Sequence, residues 1–286
     1  MSERGPDFAY IGTSKAGSTW LFNVLSLHDQ VYLASNKGLY YFDGHFDKGE
    51  DWYLRHFDGA AAGQVKGEIS HSYLSSPEVP ERIAAVNPRM KLLACLREPV
   101  DRAFSDYLDL LKNQQFDGTF EEALDRYPRL LDRGRYATHL QRYVDTFPAE
   151  QLHLWLFDDL KADSQGCADG VFGFLGVEPM ALPATALTSR MPAGTPRNAR
   201  AARAAKSAAR VLGNMGLRRL RSRVKRSARV RNMLYRPFAG DRPQIDATLA
   251  AELRRDFAAE VDQLETLLPG VVARWGYVEP DRARTA

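Results

Sequence analysis

The chain has few cysteines, and this scarcity narrows the classes of protein to which it can belong. Among 286 residues there are two, Cys95 inside the apolar run LLACL and Cys167 in a polar stretch. Two cysteines cannot build the disulfide framework of a small secreted scaffold. Neither has a CxxC or CxxH companion of the kind that binds zinc, and the six histidines are scattered. We therefore expect two small buried side chains and no metal site.

Long apolar runs are also missing. No stretch approaches the ~20 residues that a membrane-spanning helix needs. The N-terminal residues, MSERGPDFAYIG, lack the basic and then apolar pattern of a secretory signal. Hydrophobic content of 44% and charged content of 26% are ordinary for a soluble globular protein. We expect a soluble, cytoplasmic protein with residues 1–286 in one domain.

Acidic side chains are absent from one long segment. Residues 197–236 contain 14 of the 39 Lys and Arg and no Asp or Glu, so elsewhere 25 basic residues meet 36 acidic ones. Its alanine-rich stretches, with arginine at many offsets, predict a basic helix. This segment is interpreted either as a solvated surface helix or as an electropositive wall that attracts a nucleotide or polyanion. A single aromatic, Tyr235, and no base-reading motif argue against nucleic acid as a partner.

Short β-type runs alternate with helical patterns along the chain, which predicts an α/β fold with a P-loop-like, mainly parallel sheet flanked by helices on both faces. The predicted strands are Phe8–Gly12, Val31–Ser35, Gln64–Ser70, Lys91–Glu98 and Leu152–Phe157. The predicted helices are Ser18–Leu27, Pro80–Val86, Val100–Asn113, Phe120–Leu131, Ala137–Phe147 and Ile245–Leu268. Ligands of such sheets bind at the carboxyl ends of the strands.

The stretch YIGTSKAGSTW has the glycine spacing of a phosphate-binding P-loop with a displaced lysine. Gly12 and Gly17 stand five apart, but Ser18 occupies the place where GxxxxGK(S/T) has its lysine, and Lys15 lies two residues before Gly17. The loop leaves a strand and enters a helix, where backbone N–H groups and the helix dipole favour an anion. A turn in which the glycines serve geometry alone is the alternative.

A second phosphate-binding pattern follows the strand KLLACL. In REPVDRAFSDYLDLLKN, Arg97 stands at the strand end and Ser105 lies eight residues on, about two helical turns into the next helix. A strand-terminal arginine and a helix serine can converge on one phosphate. Pro99 ends the strand and presets the first helical φ.

Together these residues resemble the sulfotransferases that use 3′-phosphoadenosine 5′-phosphosulfate (PAPS). TSKAGSTWL is similar to their 5′-phosphosulfate loop, whose catalytic lysine precedes the second glycine, and LREPVDRAFSDY is similar to their 3′-phosphate segment. Further similarity to bacterial carbohydrate-type sulfotransferases and to the heparan sulfate sulfotransferase domain is found in SLHDQVYLASNKGLYYFD, GEISHSYLSSPEVPERI and RGRYATHLQRYVDTFPAEQLHLWLFDDL. The resemblance implies transfer of a sulfuryl group from PAPS to the hydroxyl of a sugar, natural product or other small molecule, without a metal, releasing 3′-phosphoadenosine 5′-phosphate (PAP).

The resemblance also implies roles for individual residues. Lys15 would stabilise the leaving phosphate oxygen. A basic loop that begins at GTPRNAR lies where related enzymes fold a segment over the nucleotide, which adds two residues to the implied contacts. The implied PAPS contacts are Ser14, Lys15, Ala16, Gly17, Ser18, Thr19, Trp20, Arg97, Ser105, Arg197 and Asn198.

The acceptor side departs from the family pattern. Heparan-type relatives have a glutamate, thought to act as base, where GLYYFD places Gly38. The candidates to deprotonate the acceptor are His71, Glu68, Asp43 and His45. His71 comes first, since it stands where relatives often have proline and a histidine pKa near ~6.5 suits a general base. Alternatively, His71 is a loop histidine bonded to backbone, and the carboxylates are structural.

Two other functions stay open at this point. LWLFDD (Leu154–Asp159) offers the apolar run ending in aspartate that a P-loop small-molecule kinase needs, although such a kinase also needs a lysine after Gly17. A non-catalytic PAPS- or nucleotide-binding protein would explain Gly38. The aromatic side chains of residues 38–57 either line an acceptor pocket or fill the core.

Overall fold

A computed structural model describes residues 5–34, 37–187, 194–196, 235–237 and 243–277. The predicted contacts Arg197 and Asn198, and nearly all of the basic segment, lie outside these ranges. The chain forms two compact units: the first comprises residues 1–103, 128–189 and 247–286, and the second comprises residues 104–127 and 190–246. Among the helices in the described ranges, none is long and apolar enough to cross a membrane.

The first unit is built on a five-stranded sheet in which every pairing is parallel. Its strands are β1 (Phe8–Gly12), β2 (Val31–Leu33), β3 (Val65–Ile69), β4 (Lys91–Leu96) and β5 (Leu152–Leu156), in the order β2-β3-β1-β4-β5. Every residue of β1 is buried, as are the last five of β4. Continuous apolar runs are typical of parallel strands covered on both faces. The predicted parallel α/β fold is confirmed, with strand ends up to two residues shorter than predicted.

Helices follow the strands in α/β fashion. The first unit contains α1 (Ser18–Leu25), α2 (Tyr41–Gly44), α3 (Glu50–Leu54), α4 (Val79–Val86) and the start of α5 (Pro99–Lys112). The next helix, α6 (Phe120–Arg126), belongs to the second unit. The remaining helices belong to the first unit: α7 (Arg129–Asp132), α8 (Tyr136–Val144), α9 (Phe157–Ala162), α10 (Ser164–Leu175), α11 (Ala184–Leu187), α12 (Ala247–Leu264) and α13 (Val271–Trp275). In the second unit, β6 (Gly194–Pro196) pairs antiparallel with β7 (Tyr235–Pro237).

One helix prediction needs correction, and the longest of the described helices that were not predicted is α10. The helix predicted over 120–131 is two helices, α6 and α7, because Pro128 has no N–H to donate and disfavours helical backbone at Tyr127. Tyr127 accordingly has φ −129° and ψ 74°. The helix α10 was not predicted, because Gly166, Gly170 and Gly173 weaken its pattern. It begins after Asp163, whose carboxylate accepts a hydrogen bond from the Gly166 N–H at 2.8 Å.

The core joins α1 and α10 to the sheet. Trp20, Leu21 and Val24 of α1 belong to the same buried cluster as Phe8 of β1. The Phe8 ring also requires a glycine on the neighbouring strand, because a Cβ on Gly67 of β3 would lie 2.2 Å from it. The strands β3, β1 and β4 are neighbours and parallel, so the loops after them share one edge of the sheet.

Candidate active site

The loop between β1 and α1 is held in a tight, partly left-handed conformation. Lys15 has φ 68° and Gly17 has φ 90°. The Thr13 N–H donates to the Cys95 carbonyl of β4 at 3.0 Å, and the Tyr10 hydroxyl donates to the Thr13 carbonyl at 3.2 Å. These bonds fix the start of the loop on the sheet, and the Lys15 side chain is partly exposed.

Gly17 ends this loop as the N-cap residue of α1. No side chain caps the helix, and its first turn has no acidic residue. A Cβ at position 17 would lie 2.5 Å from Leu160 Cδ2, so the positive φ and the close approach of α9 both require glycine. The first N–H groups of the helix therefore face the loop with a partial positive charge, as in phosphate-binding loops.

Several side chains of this segment, all predicted nucleotide contacts, point inward. Ser14 and Ser18 are 3% and 7% exposed, Ala16 is fully buried, and Trp20 is 6% exposed within the core. Thr19 is partly exposed. Ala16 can therefore serve an anion only through its backbone, and the ring of Trp20 leaves little surface for a nucleotide.

Arg97 follows β4 and reaches the same loop. Its Nη1 donates to the Lys15 carbonyl at 3.4 Å, and its guanidinium lies 5.3 Å from the Phe157 ring centre and 3.9 Å from the Asp101 carboxylate. Burial lowers the pKa of Arg97, yet an arginine in a protein keeps its charge. The side chain is 21% exposed, so the protein does not enclose it completely. Ser105 lies on α5 and is half-buried, in the part of the helix that belongs to the second unit.

Arg102, which was not predicted as a site residue, contacts the loop through Ser14. It is fully buried on the first turns of α5. Its Nη1 lies 3.4 Å from Ser14 Oγ, and its Nη2 donates to the Leu130 carbonyl. Nothing in the sequence separates this arginine from its neighbours in REPVDRAF, because its role depends on partners from two distant segments.

Lys37, which was not predicted as a site residue, is a second cation beside the loop. Its Nζ donates to Thr19 Oγ1 on α1 at 2.5 Å. The adjacent Gly38 has φ 80°, and its N–H donates to the Ile69 carbonyl at the end of β3 at 2.8 Å. The segment that begins at Lys37 thus spans from α1 to β3.

Tyr40 and His71 form a hydrogen-bonded pair at the same edge of the sheet. The Tyr40 hydroxyl lies 2.8 Å from His71 Nε2, and the two rings meet edge to face. Burial raises the pKa of Tyr40, and Asp43 raises it further. The carbonyl of His71 lies 3.5 Å from where a Cβ on Gly12 would stand. The pair is therefore adjacent to the start of the Lys15 loop.

Glu68 is 1% exposed and is a hub of the site. It accepts hydrogen bonds from the hydroxyls of Tyr53, Tyr73 and Ser70 at 2.8, 2.9 and 2.7 Å. Burial raises the pKa of Glu68 to about 7, against the effect of the three donors. The Tyr73 oxygen also accepts from the Tyr41 N–H at 2.8 Å, which connects the carboxyl group to α2. These contacts favour the structural interpretation of Glu68.

The remaining base candidates, Asp43 and His45, lie on α2 and directly after it. Asp43 Oδ2 accepts a hydrogen bond from the Ser72 hydroxyl, which ties α2 to the residue after His71. The His45 ring meets Trp52 edge to face with centres 5.9 Å apart. In the described ranges no three His, Cys, Asp or Glu side chains gather as metal ligands would.

The aspartates of LWLFDD are engaged in structural contacts. Asp158 accepts from Trp275 Nε1 at 3.1 Å and lies 2.5 Å from Lys161 Nζ. Asp159 pairs with Arg274 and accepts from the Leu156 N–H. Three of these partners lie on α9 and α13, so the geometry gives no support to the magnesium-binding role that a kinase would require.

Comparisons with known proteins agree with the fold and the loop. A family model described as Sulfotransferase domain matches residues 6–191. The chain is 32% identical over 186 residues to human heparan sulfate glucosamine 3-O-sulfotransferase 3B1, covering 62% of this chain and 47% of that protein. It is 34% identical over 164 residues to the mouse heparan sulfate glucosamine 3-O-sulfotransferase 5, covering 52% and 47%. The chain belongs to the sulfotransferase domain family.

A solved structure shows the same fold. The crystal structure of a sulfotransferase from Alicyclobacillus acidocaldarius matches with a TM-score of 0.70 and 24% identity, over 95% of this chain and 98% of that chain. The two heparan sulfate relatives are covered less completely than this solved structure is. The aligned part of this chain spans about half of their length. The predicted family and fold class are confirmed.

Proposed function

We propose that this protein transfers the sulfuryl group of PAPS to a hydroxyl group of an acceptor and releases PAP. The observation that carries the proposal is the loop of Lys15, closed by Gly17 at the uncapped start of α1 and held by Arg97 through the Lys15 carbonyl. Membership of the sulfotransferase domain family supports it independently.

In this reaction the role of the loop is to stabilise the negative charge on the leaving group. The S–O bond to the PAP phosphate breaks as the acceptor oxygen attacks sulfur in line, and negative charge develops on the phosphate oxygen. Lys15 and the first N–H groups of α1 stabilise that oxygen, as preorganised donors do in phosphoryl transfer. Arg97 binds a phosphate group at the end of β4, and Ser105 stays a predicted contact from its helical spacing.

The acceptor is a hydroxyl compound whose identity is open among sugars and natural products. The two curated relatives carry a glucosamine-containing polysaccharide in their names. Heparan sulfate is therefore one acceptor to test, beside small phenols and alcohols. One sulfotransferase domain over residues 1–286, a cytoplasmic location, and nucleotide contacts by Arg197 and Asn198 remain predictions.

The test combines binding and transfer. Titration calorimetry with PAP in EDTA, and separately with ATP and Mg²⁺, distinguishes a PAPS enzyme from a kinase. We expect PAP to bind without metal, and at about 100 times its Kd to stabilise the fold by about 2.7 kcal/mol. Transfer of ³⁵S from labelled PAPS to a panel of acceptors then identifies the reaction. Binding of ATP with Mg²⁺ in place of PAP would refute the proposal, and tight PAP binding without transfer to any acceptor or to water would favour a non-catalytic binding protein.

A further inference from the structure

We propose that Tyr40 contacts the acceptor hydroxyl and passes its proton to His71. This inference rests on the proposed sulfuryl transfer and names the acceptor side of the same site. It changes the role predicted for His71, which becomes the final holder of the proton and not the group that meets the acceptor.

The first argument is that neither ring nitrogen of His71 is open to an acceptor. Nε2 lies 2.8 Å from the Tyr40 hydroxyl, and Nδ1 is buried. A proton from outside therefore reaches the imidazole through the Tyr40 oxygen. The 2.8 Å between Tyr40 Oη and His71 Nε2 is within the hydrogen-bond reach that proton transfer needs.

The second argument is that the backbone holds Tyr40 in an unusual position. Its φ is 50°, which is a left-handed conformation. For a residue with a bulky side chain, this conformation is energetically unfavourable. The Tyr40 N–H donates to Ser70 Oγ at 3.0 Å. On either side of it, the Gly38 N–H donates to the Ile69 carbonyl and the Tyr41 N–H donates to the Tyr73 hydroxyl oxygen. Strain that the surroundings hold in place is a frequent feature of functional sites.

The third argument concerns the space at position 38. A Cβ on Gly38 would lie 2.5 Å from Tyr40 Cε2 and 2.9 Å from its hydroxyl oxygen. The ring thus lies across the place where a side chain of residue 38 would begin. Since family resemblance puts a carboxylate at this position, Tyr40 in this chain brings a hydroxyl to the region that the missing side chain leaves.

The pair is also close to the Lys15 loop. The Ser70 N–H donates to the Tyr10 carbonyl at 3.0 Å, so the segment that carries His71 runs beside the end of β1. Lys37, three residues before Tyr40, bonds Thr19 on the other side of the loop. An acceptor at Tyr40 would therefore approach the sulfuryl group from the β3 side.

The proton balance closes without another reactant. As the bond between acceptor oxygen and sulfur forms and the bond between sulfur and PAP oxygen breaks, the acceptor proton moves to Tyr40 Oη and the Tyr40 proton moves to Nε2. His71 becomes an imidazolium and later returns its proton to water. The charged groups that act on Tyr40 are Asp43 and Glu68, which raise its pKa, and Arg133, which lowers it. A neutral tyrosine is thus the resting form.

Two substitutions test the relay. Tyr40→Phe removes the hydroxyl and keeps the ring, and His71→Gln keeps an acceptor for Tyr40 but cannot hold a proton. We expect each to lower kcat by ~10²-fold or more with [³⁵S]PAPS and whichever un-ionised acceptor turns over among heparan sulfate, glucose and water. The double variant should be no slower than the slower single one. PAP affinity should stay within about twofold, and Tyr32→Phe on β2 is the matched control.

The pH profile and the tautomer separate a relay from a structural contact. In the wild type kcat falls as His71 becomes protonated, whereas His71→Gln loses that limb. ¹⁵N NMR of the PAP complex should show His71 protonated at Nδ1, with Nε2 accepting. Wild-type kcat in Tyr40→Phe, or His71 protonated at Nε2 at neutral pH, would overturn the inference and leave sulfuryl transfer intact. Absence of PAP binding in the wild type would instead refute the proposed function, and the inference with it.

Discussion

Glu68→Gln is the substitution for which the structure supplies the magnitude most directly. The amide is isosteric with a neutral carboxyl group: its oxygen can accept from Tyr53 and Tyr73, and its NH₂ can donate to Ser70 Oγ. At about pH 5 the variant should therefore match the wild type in free energy of unfolding within about 1 kcal/mol, the typical value of one hydrogen bond.

The difference should grow as the pH rises. Burial raises the pKa of Glu68 from 4.5 to about 7, so the folded state binds more protons than the unfolded state between these values. The wild type then loses stability with rising pH through this window, and the loss is complete above about pH 7. At ~1.4 kcal/mol for each pH unit of displacement, the loss is on the order of 3 kcal/mol. The variant avoids it, because the glutamine side chain does not ionise.

Urea unfolding at about pH 5, 6, 7 and 8, followed by tryptophan fluorescence, measures this difference. The free energy of unfolding of Glu68→Gln minus that of the wild type should rise by roughly 3 kcal/mol across this range. Glu252→Gln, at an exposed glutamate of α12, is the control and should give a flat difference. A flat difference for Glu68→Gln as well would show that the hydroxyl donors keep the carboxylate ionised. Turnover of the variant within a few-fold of wild type would also remove Glu68 from the base candidates.

Three further predictions concern the loop and the segment beside it. Lys15→Ala should lower kcat, measured by steady-state kinetics, by ~10²–10³-fold, while the affinity for PAP, measured by calorimetry, stays nearly unchanged. A change in KM alone would contradict the role of Lys15 at the leaving oxygen. Arg97→Ala should weaken PAP binding by about 1.5–3 kcal/mol, with Arg97→Lys recovering only part; unchanged affinity would move the phosphate elsewhere. Gly38→Ala should lower Tm more than Gly49→Ala, because both have a positive φ, 80° and 77°, but a Cβ at Gly49 meets nothing within 4 Å; equal shifts in Tm would show that the Tyr40 ring yields.

Much of the fold could be predicted because parallel strands leave a clear trace in the sequence. FAYIG and KLLACL are almost wholly apolar since both faces of β1 and β4 are covered. The glycine-rich helix α10 left no such trace. The break at Pro128, in contrast, follows from the chemistry of proline and was open to prediction.

The site could be predicted where its residues are close in sequence. Lys15 and Gly17 belong to one loop, and Arg97 follows a strand at a recognisable motif. Lys37 and Arg102 were missed because their partners, Thr19, Ser14 and Leu130, come from other segments of the chain. Side-chain partners that only the folded chain brings together leave no local pattern.

The left-handed backbone of Tyr40 is the feature that sequence reasoning had least chance to find, since φ > 0 is expected of glycine and rarely of tyrosine. Its explanation begins at Glu68. The buried carboxyl group accepts from Ser70 and Tyr73, and these two hydroxyl oxygens in turn accept the N–H groups of Tyr40 and Tyr41.

Two hydrogen-bonded steps thus join a carboxyl group that is costly to bury to a backbone conformation that is costly to hold. The strain at Tyr40 is on the order of 1–3 kcal/mol, and the two N–H bonds supply about 1 kcal/mol each. Because the energies are of similar size, the network can hold Tyr40 in place without large stabilisation from elsewhere. Burial of Glu68 therefore has a use in this site even if its carboxyl group never touches the acceptor: it fixes the direction in which the Tyr40 hydroxyl meets His71.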